Sequence, residues 1–240
     1  MEQKKAVKKV KVEKGSSQKL PAKTKIFYGI GDLGNAIINS AIQFYLLKFY
    51  TDVALILPAL AGNALLVGKI WDAVNDPIFG WLTDRTNSKV GRRRVFMLFG
   101  AIPLGIAIAL LWFIPKGLSL NMTFLWIAFT FILFDTLWTL TNVPYYALTS
   151  ELTDDYDERS SLTTTRMVMA VPAYLVGVAL TPVIAGLFAL ERTGWGYVGI
   201  IYGSICAIVL LISAAGLKER QKVLKAKAKT NVWQSIKAAL

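Results

Sequence analysis

Residues 69–94 read KIWDAVNDPIFGWLTDRTNSKVGRRR, and the fold is decided by how this stretch is read. An apolar segment carries two carboxylates and is followed by a cluster of positive charge. Asp72 and Asp76 stand four residues apart, which on a helix sets them about 40° apart on one face and about 6 Å from each other. Asn75 adds an amide at the same level, and Lys69 lies one turn earlier. Carboxylates on a helix that crosses a bilayer are costly, and such residues mark ion or substrate sites.

Composition places that helix in a membrane. The 240 residues are 55% hydrophobic and only 18% charged, with a mean hydropathy of +0.49, too apolar for an ordinary soluble domain. The chain reads as an integral membrane protein. Its one cysteine, Cys206, has no partner for a disulfide, and the absence of histidine excludes histidine zinc sites, Ser/His/Asp triads and Cys/His dyads. No catalytic residue and no cofactor is expected.

The net charge of +12 is distributed in a telling way. Of 27 Lys and Arg residues, nine fall in positions 1–25, five in 85–94, two at Arg159 and Arg166, and seven after position 217. Only Lys48, Lys69, Lys116 and Arg192 remain. Basic residues therefore gather in alternate connections, as the positive-inside rule requires of a multi-pass protein, and nucleic acid is not the partner. Both termini are expected in the cytoplasm, with the chain in the plasma or inner cell membrane and its basic flanks near lipid headgroups.

Along the chain, residues 1–25 read as a basic, disordered cytoplasmic tail and not as a signal peptide. Residues 26–217 hold six apolar segments, at about 26–50, 59–81, 95–114, 122–148, 163–189 and 197–217. Each is long enough to cross a hydrocarbon core of about 30 Å, giving an all-α six-helix bundle. Residues 218–240 form a basic tail in which Val232, Trp233, Ile236 and Leu240 recur at the spacing of an interfacial amphipathic helix.

Two segments carry polar faces. Asp32, Asn35, Asn39 and Gln43 stay within an arc of about 80° on a helix, and Asp135, Thr139, Asn142 and Tyr146 repeat the pattern with Trp138 beside them. Such stripes face protein or water rather than lipid, either as packing glue or as opposite walls of one cavity with Trp138 and Tyr146 as aromatic platforms. Asp135 could instead pair with a basic side chain, and Thr139 could bond its own backbone. Arg166 either snorkels to the interface or reaches the cavity to pair with Asn142 or a carboxylate.

Oxygen ligands from Asp72, Asn75, Asp76 and a hydroxyl such as Thr139 suit a hard cation such as sodium. Protons are the competing passenger, since a buried carboxylate beside a like charge takes one up more readily. A plain ion pair of Lys69 with Asp72 is the structural alternative. Pro77 removes a backbone donor after Asp76 and frees a carbonyl nearby. Gly29, Gly31, Gly34, Gly177 and Gly186 read as close-packing positions. The GIGD string at 29–32 matches an intramembrane aspartyl protease only superficially, because that chemistry needs a second aspartate on a preceding membrane helix.

At IWDAVNDPIFGWLTDRT followed by GRRR, within residues 70–94, the chain resembles the glycoside, pentoside and hexuronide cation symporters, the melibiose-permease-like branch of the major facilitator superfamily. YGIGDLG at 28–34, FYTDV at 49–53, NVPYYAL at 142–148 and ERSSL at 158–162 fit the same family. The resemblance covers about residues 25–220. It implies a sugar and cation symporter with Asp72, Asn75, Asp76 and Thr139 at the coupling cation, sodium or proton. It also places Asp32, Asn35, Asn39, Gln43, Trp138, Asn142, Tyr146 and Arg166 along the sugar path. The loop with Asp84, Arg85, Gly91, Arg92 and Arg93 is similar to the superfamily's cytoplasmic gate. Ala36 and Asn142 stand where melibiose-type members have sugar-binding aspartates, so the sugar is not defined.

Family members have twelve helices in two halves, and this chain supplies the first six. It is thus expected to be a truncation, one chain of a split pair, or a half transporter that dimerises. A non-transporting assembly or regulatory protein and a lipid or lysolipid carrier are the competing readings.

Overall fold

The computed structural model describes residues 19–219, all of whose regular structure is helical. Six helices follow one another: α1 Ala22–Ala41, α2 Pro58–Arg85, α3 Arg94–Leu111, α4 Leu120–Leu152, α5 Tyr156–Gly186 and α6 Glu191–Gly216. Most of the expected N-terminal tail and the amphipathic piece with Val232, Trp233, Ile236 and Leu240 lie outside the described residues.

Each helix begins before the apolar segment that announces it, whereas α3 and α5 end three residues short of theirs. α5 starts at Tyr156 rather than 163, because Asp155 accepts a hydrogen bond from the Glu158 amide and caps it. Ser119 caps α4 in the same way, on the Met122 amide, and α2 opens with Pro58 at its first helical position. A hydrophobic run marks the part of a helix that meets hydrocarbon, whereas the caps mark where its hydrogen bonds end. α1 is prolonged by two π-helical turns, Ile42–Leu46 and Phe49–Val53, which rotate the later side chains out of phase with the α1 stripe.

α3, α4, α5 and α6 are each long and apolar enough to cross a membrane. α1 and α2 run beside them in the same bundle. Side-chain contacts give the directions: α1 lies parallel to α5, from Lys25 with Glu158 to Tyr45 with Val178. α2 lies parallel to α4, from Trp71 with Thr136 to Asp76 with Thr139. The packing order α5, α1, α6, α3, α4, α2 makes an open arc whose two edges are α2 and α5. Both edges leave apolar side chains exposed, among them Leu66, Ile70 and Val74 on α2, and Val168, Val171 and Leu175 on α5.

Small residues let the backbones approach. A Cβ on Gly34 would come 2.8 Å from the Cα of Cys206, and one on Gly105 would come 2.7 Å from the carbonyl oxygen of Gly203, so α1 and α3 can meet α6 only without it. Gly186 departs from the expectation, since nothing lies within 4 Å of its would-be Cβ. At one end of the bundle Trp112 stacks on Trp195 with centroids 5.3 Å apart, and Phe49 packs on both rings. Lipid tails are as apolar as these rings, so the cluster contributes through close fit and dispersion rather than through removal from water.

Candidate functional site

The parallel pairing of α2 and α4 brings two polar rungs together. Thr139 Oγ1 donates to Asp76 Oδ1 at 3.0 Å. One turn away, Asn75 Nδ2 reaches both the main-chain oxygen and Oδ2 of Asp135, at 3.3 and 3.4 Å. Asn75 is fully buried, yet its Oδ1 has no hydrogen-bond partner among the described residues. A buried acceptor left unanswered is unfavourable and calls for a partner such as an ordered water or an ion.

Lys69 Nζ sits 3.3 Å from Asp72 Oδ2, so the plain ion pair is present, with the lysine side chain 63% exposed. Asp72 is half-buried and Asp76 is exposed on the open side of the arc. Among the described residues no three Asp, Glu or Cys side chains converge as a metal centre. The side chains that meet here, Asp76 with Thr139 and Asn75 with Asp135, offer oxygen donors, a chemistry that suits a hard cation better than a transition metal. Thr139 spends its hydroxyl hydrogen on Asp76 and not on its own backbone.

Asp135 belongs to this cluster and not to a salt bridge. It is buried, and Asp72, Asp76 and Lys69 all act on it electrostatically. The sequence carried the signal, because Asp135 precedes Thr139 by four residues on one face.

Beside the cluster, Asp32, Asn35, Ala36, Asn39, Trp138, Tyr146, Ala170, Val171 and Tyr174 line a cavity of about 240 Å³. Residues of the α1 and α4 stripes line this one cavity, and the stripes also touch each other, through Asn35 Nδ2 donating to Asn142 Oδ1 and through Tyr146 Oη at 3.4 Å from Asp32 Oδ1. The physical reason is mutual satisfaction, since two buried amides away from water answer each other. α5 forms the third wall.

From α5, Arg166 Nε lies 3.5 Å from Asp32 Oδ2, with its guanidinium 4.7 Å from the centre of the Tyr146 ring. Of the partners open to this arginine, a carboxylate is the one it takes. Gln43 Nε2 donates to Asn39 Oδ1 at 2.7 Å, and Tyr174 Oη donates to Gln43 Oε1 at 2.7 Å. Tyr174 is a wall residue that the stripes on α1 and α4 do not announce, although Arg166, Ala170 and Tyr174 recur at the four-residue spacing of one helix face.

The loop after α2 is closed by two carboxylates outside it. Glu151 of α4 accepts from both Arg92 and Arg93, and Arg93 also pairs with Asp84 at 3.0 Å. Burial lowers the pKa of Arg92, but the hydrogen bond and charge of Glu151 outweigh it, and the guanidinium titrates above its ordinary value. Glu219 accepts from the amides of Arg92, Arg93 and Arg94 at 2.7, 2.9 and 2.7 Å, so a carboxylate sits on the N-terminus of α3. Gly91, at φ +126°, passes directly beneath that carboxylate, where a Cβ would lie 2.7 Å away. Arg85 stacks on Trp81 at 4.3 Å.

A multi-pass helical bundle with carboxylates and amides inside it and a polar cavity between its helices has the build of a secondary transporter. Residues 27–240 match the family described as MFS/sugar transport protein, and the chain belongs to that family of transporters. It is 40% identical over 213 residues to the uncharacterized symporter sll1374 of Synechocystis sp., covering 86% of this chain and 39% of that protein. It is 30% identical over 223 residues to the isoprimeverose transporter of Lactiplantibacillus pentosus, covering 91% and 46%. To the sodium-dependent lysophosphatidylcholine symporter 1 of Mus musculus it is 33% identical over 181 residues, covering 74% and 34%. The chain spans less than half the length of these relatives.

Proposed function

We propose that this chain forms one half of a cation-coupled symporter for a sugar or glycoside. It works by alternating access with a second six-helix half or a second copy of itself, seated against the apolar edges α2 and α5. The observation that carries the reading is the buried, unanswered Oδ1 of Asn75 beside Asp76, Thr139 and Asp135. Sodium is favoured as the coupling ion, because a proton satisfies a carboxylate but leaves an amide oxygen without a partner. The polar cavity and the kinship with an isoprimeverose transporter support a sugar as the other passenger.

In this mechanism Asp72, Asp76 and Asp135 repel one another until a cation neutralises them, which favours the state that accepts substrate. Asn39, Gln43 and Tyr174 offer hydroxyl and amide groups to the sugar, and Trp138 and Tyr146 offer ring faces. Arg166 and Asp32 hold each other in place. The end of the bundle with Asp84, Arg92, Arg93 and Glu151 faces the cytoplasm, and release to that side requires those ion pairs to break.

The test is thermal unfolding of the chain in detergent with a panel of glycosides, in sodium and in potassium. A sugar raises the midpoint in sodium only, and Asp76→Asn abolishes the rise. The same rise without sodium, or in Asp76→Asn, overturns the cation assignment. The kinship with a lysophosphatidylcholine symporter favours a second reading, a lysolipid passenger. That reading holds if lysophosphatidylcholine stabilises the chain and no sugar does. Stabilisation by neither returns the chain to a non-transporting assembly or regulatory role.

A further inference from the structure

A second and larger cavity, of about 530 Å³, lies at the opposite end of the bundle from the Arg92 loop, between the ends of α3 and α6. Its floor is Trp112, and Phe113, Leu190, Tyr197 and Ile200 are among the apolar residues that line it. Phe113, Tyr197 and Ile200 are 56%, 43% and 53% exposed, and on the same two helices Ile102, Ile106 and Ile208 are exposed as well. The pocket therefore opens onto a face that hydrocarbon chains cover in a membrane.

Two of the four basic residues outside the basic clusters, Lys116 and Arg192, line this one pocket together with Glu191. Arg192 is fixed by donating to the carbonyl oxygens of Ile114 and Pro115. Lys116 and Glu191 carry opposite charges, yet neither has an ion-pair partner within 4.0 Å among the described residues. Trp112 is 1% exposed, and its indole N–H has no acceptor among them. An apolar slot lined by a cation and an anion, with an unanswered donor on its floor, matches one kind of occupant.

We propose that this pocket binds phosphatidylethanolamine from the leaflet at that end of the bundle. One acyl chain fills the groove between α3 and α6. The phosphate pairs with Lys116 and Arg192, the ammonium group pairs with Glu191, and an ester or phosphate oxygen accepts from Trp112. An anionic phosphatidylglycerol brings no ammonium group to pair with Glu191, so the zwitterion is preferred. The site is independent of the transport reading, because it needs only a membrane around the bundle.

The experiment is native mass spectrometry of the delipidated 240-residue chain, released from micelles containing palmitoyl-oleoyl-phosphatidylethanolamine or the matching phosphatidylglycerol. The wild type retains the ethanolamine lipid several-fold more, and Glu191→Gln, at an exposed position, erases that preference. Gly196→Phe lowers retention of both lipids without unfolding the chain, since a Cβ at Gly196 meets nothing within 4 Å. Equal or greater retention of phosphatidylglycerol by the wild type overturns the proposal, as does unchanged retention in Gly196→Phe.

Discussion

The Thr139 hydroxyl donates to the Asp76 carboxylate across 3.0 Å, joining α4 to α2 at the level where Asn75 meets Asp135. Thr139 is 2% exposed, so nothing else takes its place when it is removed. Thr139→Val keeps the shape and deletes the donor. A hydrogen bond to a charged group contributes about 1.5–3 kcal/mol, and the sodium concentration for half-maximal stabilisation is expected to rise about tenfold or more. Sodium titration of the unfolding midpoint measures it, and an unmoved titration removes Thr139 from the proposed cation site.

Asp32 and Arg166 are a mostly buried pair, their side chains 14% and 20% exposed. Deleting one partner strands the other away from water, at a cost of about 3 kcal/mol. Asp32→Asn and Arg166→Gln are each expected to destabilise the chain more than the double variant does. A double-mutant cycle on thermal or denaturant unfolding reads the coupling, and simple additivity would show that the pair is not a unit.

Glu219 answers three consecutive amides at the start of α3. Glu219→Ala leaves them without that acceptor and is expected to cost about 1–2 kcal/mol, as the loss of a helix cap does. Hydrogen exchange at residues 92–94 should accelerate while exchange in α5 stays unchanged. Uniform acceleration throughout the chain would mean that the effect is global and not local.

Gly105→Ala places a Cβ 2.7 Å from a main-chain oxygen of α6, whereas Gly62→Ala places one in open space on α2. The first is expected to lower the unfolding midpoint by the equivalent of about 1–3 kcal/mol. The second should raise stability by a few tenths up to about 1 kcal/mol through helix propensity. Equal effects would contradict the close approach of α3 and α6.

Much of the bundle is legible in the sequence, for reasons that individual residues make plain. Apolar runs of membrane length leave little choice of fold, and the α2 face stands out because Asp72, Asn75 and Asp76 fall within five consecutive positions. Asp135 is visible but unassigned, since helical periodicity fixes a face and not the neighbour that it meets. Tyr174 and Glu219 depend on the pairing of distant helices, about which local patterning is silent. The helix ends escape the hydrophobic pattern for a related reason. Asp155 and Ser119 set them by capping, outside the apolar runs.

The carboxylate of Glu219 lies 125 to 127 positions along the chain from the amides that it holds. The loop between α2 and α3 is therefore made early in synthesis and fastened late. Until Glu219 has emerged, α3 enters the bilayer with its first amides held only by water or headgroups, and the ion pairs of Arg92 and Arg93 have no fixed backbone beneath them. The set of contacts that holds this loop is therefore complete only after the residues that follow α6 have been made.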